Sequence, residues 1–277
     1  MSPSHVIRAL ALSSHPIPTV AVTVISAGLA ALAGLPLGRG ALVIATVFTG
    51  QLSIGWSNDY LDAERDRAVL RPDKPLATGA LEPRAVGMAA AVALLTTIAL
   101  SGALGWPGGA AALFTVLIAW AYNLGLKATV LSWLPYAIAF GIAPAVVTLS
   151  ALPPRWPGVW ILAACALLGV AAHLANVLPD FGDDSATGIR GVPHRIGARA
   201  TALTAAALLL ITSAVILVGP AGQPGAWSWG LFGAAVLVAG ASARLAYRAP
   251  SSRIFFWAII MIAALDLISL ALSGIRL

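Results

Sequence analysis

The sequence predicts an all-α membrane protein, a bundle of nine transmembrane helices, and three observations carry that prediction. Hydrophobic residues make up 60% of the 277 positions and charged residues only 9%, with a mean hydropathy of +0.93, far from the composition of water-soluble globular chains. Apolar runs of roughly 17 to 25 residues, the length that crosses a hydrocarbon layer about 30 Å thick, recur along the whole chain. The alternation that barrel strands need is missing, and lipid offers no partner for free backbone groups, so every run must be helical.

The runs lie near 17–37, 41–60, 84–105, 108–124, 130–150, 157–178, 199–219, 227–247 and 254–274. The first follows Arg8 and ends in small residues, as a signal peptide does, but the stretch Ile17 to Leu35 has the length of a spanning helix. The second ends in the acidic cluster Asn58-Asp59-Tyr60-Leu61-Asp62-Ala63-Glu64-Arg65-Asp66. Short turns rich in Gly and Pro, with interfacial tryptophans, separate the third run from the fourth, the fifth from the sixth and the seventh from the eighth. The sixth ends in a second acidic cluster, and the ninth contains Asp266. A helix-buried acid costs about 2.5–3.5 kcal/mol on insertion scales, so Asp266 is expected to face the bundle interior and pair with a polar neighbour. The single cysteine, Cys165, lies inside an apolar run and reads as a packing residue, not as part of a disulfide or thiolate metal site. One domain, 1–277, is expected.

Sixteen Lys and Arg against ten Asp and Glu give a formal charge of +6. The basic residues stand singly between apolar runs, which is how topology signals are laid out, so no nucleic acid is expected as a partner. On the nine-span map, thirteen of the sixteen fall on one side, and only Arg39, Arg155 and Arg276 on the other. The positive-inside bias then makes this a multi-pass protein of the cell membrane, with the N-terminus and the acidic clusters cytoplasmic and the C-terminus opposite.

The two clusters share a spacing. Asn58, Asp62 and Asp66 match Asn176, Asp180 and Asp184 with a constant offset of 118 residues, each set reading N-x-x-x-D-x-x-x-D. Four residues advance a helix by about 400°, so each set is expected to form a stripe on one helix face, reaching about 12 Å along the axis. Two facing acidic stripes at the rim of a low-dielectric bundle repel unless cations neutralise them. Oxygen ligands favour Mg²⁺, with Mn²⁺ as a substitute, over zinc or copper, and no calcium loop of the EF-hand pattern is present. The basic set Arg65, Arg71, Lys74, Lys127, Arg190 and Arg195 can supply fixed charge to phosphate oxygens. The pattern asks for a polyanion bridged by metal.

These residues resemble the UbiA superfamily of intramembrane prenyltransferases, which includes 4-hydroxybenzoate polyprenyltransferase. Asn58-Asp59-x-x-Asp62-x-x-x-Asp66 looks like its first aspartate-rich motif, and Arg71-Pro72-Asp73-Lys74-Pro75-Leu76-x-x-Gly79 is similar to the loop that follows. Asp180-x-x-x-Asp184, with Gly188 and Gly197 after it, looks like the second motif, and Tyr122 to Lys127 resembles the Tyr and Lys pair after the fourth helix. The resemblance implies a central cavity open to lipid and Mg²⁺-dependent binding of an isoprenyl diphosphate. It also implies prenyl transfer through an allylic carbocation to an acceptor, usually an aromatic ring. On that basis Asp59, Asp62, Asp66, Asp180 and Asp184 are the expected catalytic residues, and together with Asn58 and Asn176 the expected metal ligands. Arg65, Arg71, Lys74, Tyr122, Lys127 and Arg195 are the expected diphosphate contacts.

The chain departs from the family pattern in two places. Val177 stands where the first motif has Asp59, and His15-Pro16 stands where relatives often carry Arg-Pro. His15 can be a ligand-facing group or an interfacial residue at a helix start, and the second reading is favoured. Two further readings keep the same site: cyclisation of the prenyl chain, as in UbiA-related terpene cyclases, and transfer to a polar phosphoribosyl or glycerol-linked acceptor. A transporter would need polar groups through the membrane, and the runs are Ala, Leu and Val instead.

Overall fold

The computed structural model describes residues 3–277, and the described residues are helices, turns and loops without a strand. In order they are α1 (Pro3–Ser13), α2 (Pro16–Leu32), α3 (Leu37–Ala68), α4 (Pro83–Leu104), α5 (Trp106–Leu124), α6 (Leu134–Thr148), α7 (Val159–Val177), α8 (Phe181–Ala186), α9 (Val192–Ile196), α10 (Ala198–Val218), α11 (Ala226–Leu245) and α12 (Ile254–Leu272). Short 3-10 turns at Leu126–Ala128 and Leu178–Asp180 follow α5 and α7. Prolines sit in the first turn of α2, α4, α5 and α6, where a missing N–H leaves no helical bond unmade.

Each expected run carries a helix, with differences. Among the described helices seven are long and apolar enough to cross a bilayer, counting 159–186 as one, and eight if α1 and α2 form one span bent by 66°. The run 130–150 holds only the 15 residues of α6, because Lys127 to Trp133 are taken up by a tight turn. Helix α1 was not expected from the sequence. The stripe Asn176, Asp180, Asp184 does not lie on one helix either: α7 ends at Val177, and α8 begins only at Phe181. Pro179 supplies the reason, since it has no N–H to give and its ring clashes with the carbonyl four residues back.

Successive long helices pack side by side from α2 to α12, and α12 returns onto α2 and α7, closing the bundle. Between helices in lipid, close packing matters more than apolarity, and small residues allow it. Ala171 and Ala175 of α7, Ala202 of α10 and Ala235 of α11 are all fully buried. Gly169 permits the crossing of α7 over α6, where a Cβ would stand 2.4 Å from the Tyr136 carbonyl oxygen. Asp266 of α12 accepts a hydrogen bond from Ser213 of α10 at 3.1 Å, the polar pairing expected of it. Together with Cys165 it borders an apolar cavity of about 40 Å³ between α2, α7, α10 and α12.

The sorting of charge is realised at the two ends of the bundle. At one end Arg39 donates to the carbonyls of Ser150 (2.7 Å) and Leu104 (2.6 Å), and Arg155 to that of Ala33 (2.9 Å). These cations complete the C-terminal ends of α6, α4 and α2, where helix carbonyls lack partners. The acidic clusters gather at the other end.

Candidate active site

Helix α3 has 32 residues, about 48 Å of rise against a hydrocarbon layer of about 30 Å, so its last turns carry charge beyond the apolar zone. Asp59, Asp62 and Asp66 are nonetheless 2%, 6% and 5% exposed, because the chain folds over them from both sides. On one side the bend between α1 and α2 leans on α3 at Gly55, where a Cβ would stand 2.3 Å from the Ser14 carbonyl oxygen. That contact delivers His15, in the left-handed region at φ 53, to Asp59. His15 Nε2 lies 2.8 Å from Asp59 Oδ1, and Lys74 Nζ lies 2.6 Å from the same oxygen. Lysine only donates and carboxylate only accepts, so Nε2 carries the proton, and the 3.2 Å between Lys74 and His15 separates two donors sharing one acceptor. Asp59 Oδ2 is buried without a partner. The reading of His15 as a plain interfacial residue is therefore corrected: a tertiary contact across 44 positions overrides the helix-start preference.

Lys74 belongs to a strap, residues 70–79, that enters and leaves through left-handed residues, Leu70 at φ 54 and Gly79 at φ 74. Leu76 is its buried anchor, packed with Ala9, Ala63, Leu81 and Val86. From this strap Arg71 reaches the second acidic cluster, with its guanidinium 3.0 Å from Asp180 and 3.8 Å from Asp183. Asp73 holds Arg71 by a two-pronged pair at 2.9 and 3.0 Å, which raises the guanidinium further above its ordinary value and lowers the Asp73 carboxyl to about 2. Arg253, just before α12, also approaches Asp73, at 3.5 Å.

On the other side the turn after α5 supplies Lys127, which donates to Asp62 Oδ1, while Arg65 donates to Oδ2 at 2.8 Å. Burial lowers the Lys127 ammonium below its usual range, and the pull of Asp62 offsets only part of that. The Asp66 backbone carbonyl accepts from the Arg71 N–H at 3.1 Å, while its buried carboxylate makes no side-chain hydrogen bond among the described residues. Asp184 shares its electrostatic surroundings with Asp62, Asp180, Arg65 and Lys127, so the two clusters face one region. His194 stands 3.9 Å from Asp184, too far for a hydrogen bond, and burial lowers its basicity.

Two expected residues, Asn176 and Arg195, lie apart, whereas Tyr122 lies within reach of the charges of Asp62, Asp184 and Arg65. The Asn176 side chain is exposed without a hydrogen bond among the described residues, and Arg195 is exposed with Nε donating to the Arg190 carbonyl at 3.3 Å. Tyr122 packs its ring edge-on to Tyr136 (5.2 Å) and His173 (5.8 Å). Asn58 donates to Asn123 at 3.2 Å, a partner the sequence did not single out. No three His, Cys, Asp or Glu side chains among the described residues converge into a ready metal cage. The donor set still suits Mg²⁺, which takes only one or two carboxylates and completes its shell with water and phosphate oxygens. The unpartnered Asp59 Oδ2 is an oxygen of the required kind.

Residues 19–268 match the UbiA prenyltransferase family. The chain belongs to that family. As a UbiA prenyltransferase it is an enzyme and a multi-pass membrane protein, which agrees with its apolar helices. It is 28% identical over 210 residues to digeranylgeranylglyceryl phosphate synthase of Methanopyrus kandleri, covering 70% of this chain and 73% of the relative. Two solved UbiA homologues share its fold. That of Aeropyrum pernix K1 has a TM-score of 0.74 at 16% identity, covering 92% of this chain and 97% of the other. That of Archaeoglobus fulgidus, bound to GPP and Mg²⁺, has a TM-score of 0.73 at 16% identity, covering 97% of this chain and all (100%) of the other.

Proposed function

We propose that this UbiA prenyltransferase transfers an isoprenyl group from an isoprenyl diphosphate to a lipophilic acceptor, with Mg²⁺ as cofactor and Mn²⁺ as a working substitute. The observation that supports the reading is that one strap carries both Lys74, 2.6 Å from Asp59, and Arg71, 3.0 Å from Asp180, so that its cations reach toward both acidic clusters. Asn58, Asp59, Asp62, Asp66, Asp180 and Asp184 would hold the metal, with Asn176 beyond them. Bound there, Mg²⁺ supplies positive charge to the leaving diphosphate.

The chain's own groups do the rest. Arg71, Lys74, Lys127 and Arg65 exchange carboxylate partners for phosphate oxygens and stabilise the charge that grows as the allylic C–O bond breaks. Tyr122 would border the same anion from the inner wall, and Arg195 would reach it only by leaving the Arg190 carbonyl and turning in from the exposed rim. The carbocation forms against Ala, Leu and Val side chains that exclude water, so the acceptor captures it. The released diphosphate, an anion at the right place, takes the proton the acceptor loses.

For the acceptor, the glycerol-linked class is favoured over the aromatic ring the family usually serves. It is supported by the likeness to digeranylgeranylglyceryl phosphate synthase, a name that implies a glycerol-linked product. The polar pair His15 and Lys74 beside Asp59 offers an anionic or hydroxyl-bearing acceptor partners. The chain works as one domain, 1–277, of nine crossings in the cell membrane, with α6 and the bent α1–α2 pair completing the count. Its site and N-terminus face the cytoplasm and its C-terminus the other side, as the positive-inside bias requires.

The test uses membranes containing the chain, a labelled prenyl diphosphate and a panel of aromatic and glycerol-linked acceptors. Asp62→Ala and Asp180→Ala should each abolish most transfer, as should chelation of Mg²⁺. Full activity in both variants would sink the site assignment. A cyclic hydrocarbon formed with no acceptor present would move the protein to the terpene cyclases.

A further inference from the structure

We propose that Asn123 is a positioning residue, fixing the side-chain amide of Asn58 with its oxygen toward the diphosphate site. This rests on the reading of Asn58 as an oxygen ligand and adds how that ligand is oriented. The two ends of an asparagine amide are nearly the same size, and only hydrogen-bonding neighbours decide which way it faces.

Asn123, in the last turn of α5, is 5% exposed. One end of its amide lies 3.0 Å from the Ile54 carbonyl oxygen and 2.9 Å from Ser57 Oγ, both on α3. The carbonyl can only accept. Ser57 commits its hydroxyl proton to the same Ile54 carbonyl at 2.9 Å, so toward Asn123 it also accepts. Both neighbours therefore require the NH₂ end of Asn123. Turned over, the amide would press its oxygen against two acceptors and strand its NH₂ group in a buried place.

With Asn123 fixed, its Oδ1 is the atom 3.2 Å from Asn58, so Asn58 must present Nδ2 to it. The oxygen of Asn58 then lies on the opposite edge of the amide, where no protein donor meets it among the described residues. An oxygen there, one helical turn before Asp62, suits a hard cation or its water, whereas an NH₂ group would repel it. The buried polar chain from Ile54 through Ser57 and Asn123 thus sets the polarity of one atom at the site.

The test follows Mn²⁺ bound to the purified full chain by electron paramagnetic resonance, with inorganic pyrophosphate present. Asn58→Leu should weaken binding. Asn123→Leu, which removes the orienting partner, should weaken it about tenfold or more, as loss of an outer partner does at other metal sites. Asp has an oxygen at both ends, so in an Asn58→Asp background Asn123→Leu should change nothing. Wild-type affinity in Asn123→Leu, or an equal loss in both backgrounds, overturns the proposal. Wild-type affinity in Asn58→Leu instead removes the ligand reading beneath it, and the proposal with it. If Asn123→Leu does not fold, Asn123→Ser, too short to reach Asn58, takes its place with the same expectations.

Discussion

The two acidic clusters have one spacing and two environments. In the first, Asp59, Asp62 and Asp66 ride an unbroken helix and are 2 to 6% exposed, with Lys74, Lys127, Arg65 and His15 closing over two of them. In the second, Pro179 splits the stripe, the Asp180 and Asp184 side chains are 35% and 17% exposed, and Arg71 reaches Asp180 and the neighbouring Asp183. Spacing alone does not set strength. A charge pair withdrawn from water is costly to break, and one at the surface contributes little, so the two halves are expected to do unequal work. Val177, standing where the first motif has Asp59, is buried at 6% and adds no charge to the weaker half.

The largest expected effect is at Asp62. Asp62→Asn should lower kcat by about 10²–10³, the range for removing one preorganised electrostatic group, and Asp180→Asn by about tenfold less. Equal losses would break the inequality of the halves. Asp62→Ala should also lower stability, by about 3–5 kcal/mol, because it leaves Lys127 buried without its partner. Thermal unfolding in detergent measures that.

Next is Pro179→Ala, which permits α7 to run on into α8. Realignment of Asp180 by even an ångström is expected to cost about tenfold or more in kcat/KM for the prenyl diphosphate, with little loss of folding. Unchanged kinetics would mean that the break does not matter to the chemistry. Gly55→Ala forces the α1–α2 bend away from α3 and should cost about 1–3 kcal/mol, while weakening the contact of His15 with Asp59.

The smallest effect is at Asp73, which is 42% exposed and whose pair with Arg71 is screened by water. Asp73→Asn should raise KM for the diphosphate by about fivefold at most. The Asp73 carboxyl is lowered to about 2 in the fold, so its contribution is complete above the unfolded value of about 4 and is lost only as pH falls through about 2. The KM ratio of variant to wild type should accordingly stay flat from pH 6 to 9.

Much of this molecule is legible in its sequence, and for physical reasons. Burial in lipid demands long apolar runs, so the helices announce themselves, and Asp62 and Asp180 stand out because charge there is expensive. The break at Pro179 was also readable, since proline cannot continue the helix that the four-residue spacing suggested. What could not be read is what distant segments do to one another. The meeting of His15 with Asp59 depends on Gly55 admitting a backbone carbonyl, and glycine in a membrane helix carries many meanings. Asn123 is one polar residue near a helix end, and its importance lies wholly in its neighbours on α3. Arg195 and Asn176 show the converse, with suitable chemistry in the sequence on side chains that the fold leaves exposed.

The central claim, that two unequal clusters hold one diphosphate, is tested most directly by binding of geranyl thiodiphosphate, a slowly reacting analogue, at saturating Mg²⁺. It is to be measured for the wild type, Asp62→Asn, Asp180→Asn and the double variant. One shared site predicts that both single variants weaken binding, Asp62→Asn more, and that the double variant loses less than the two losses combined. Wild-type affinity in Asp180→Asn, or losses that add in full, would contradict it.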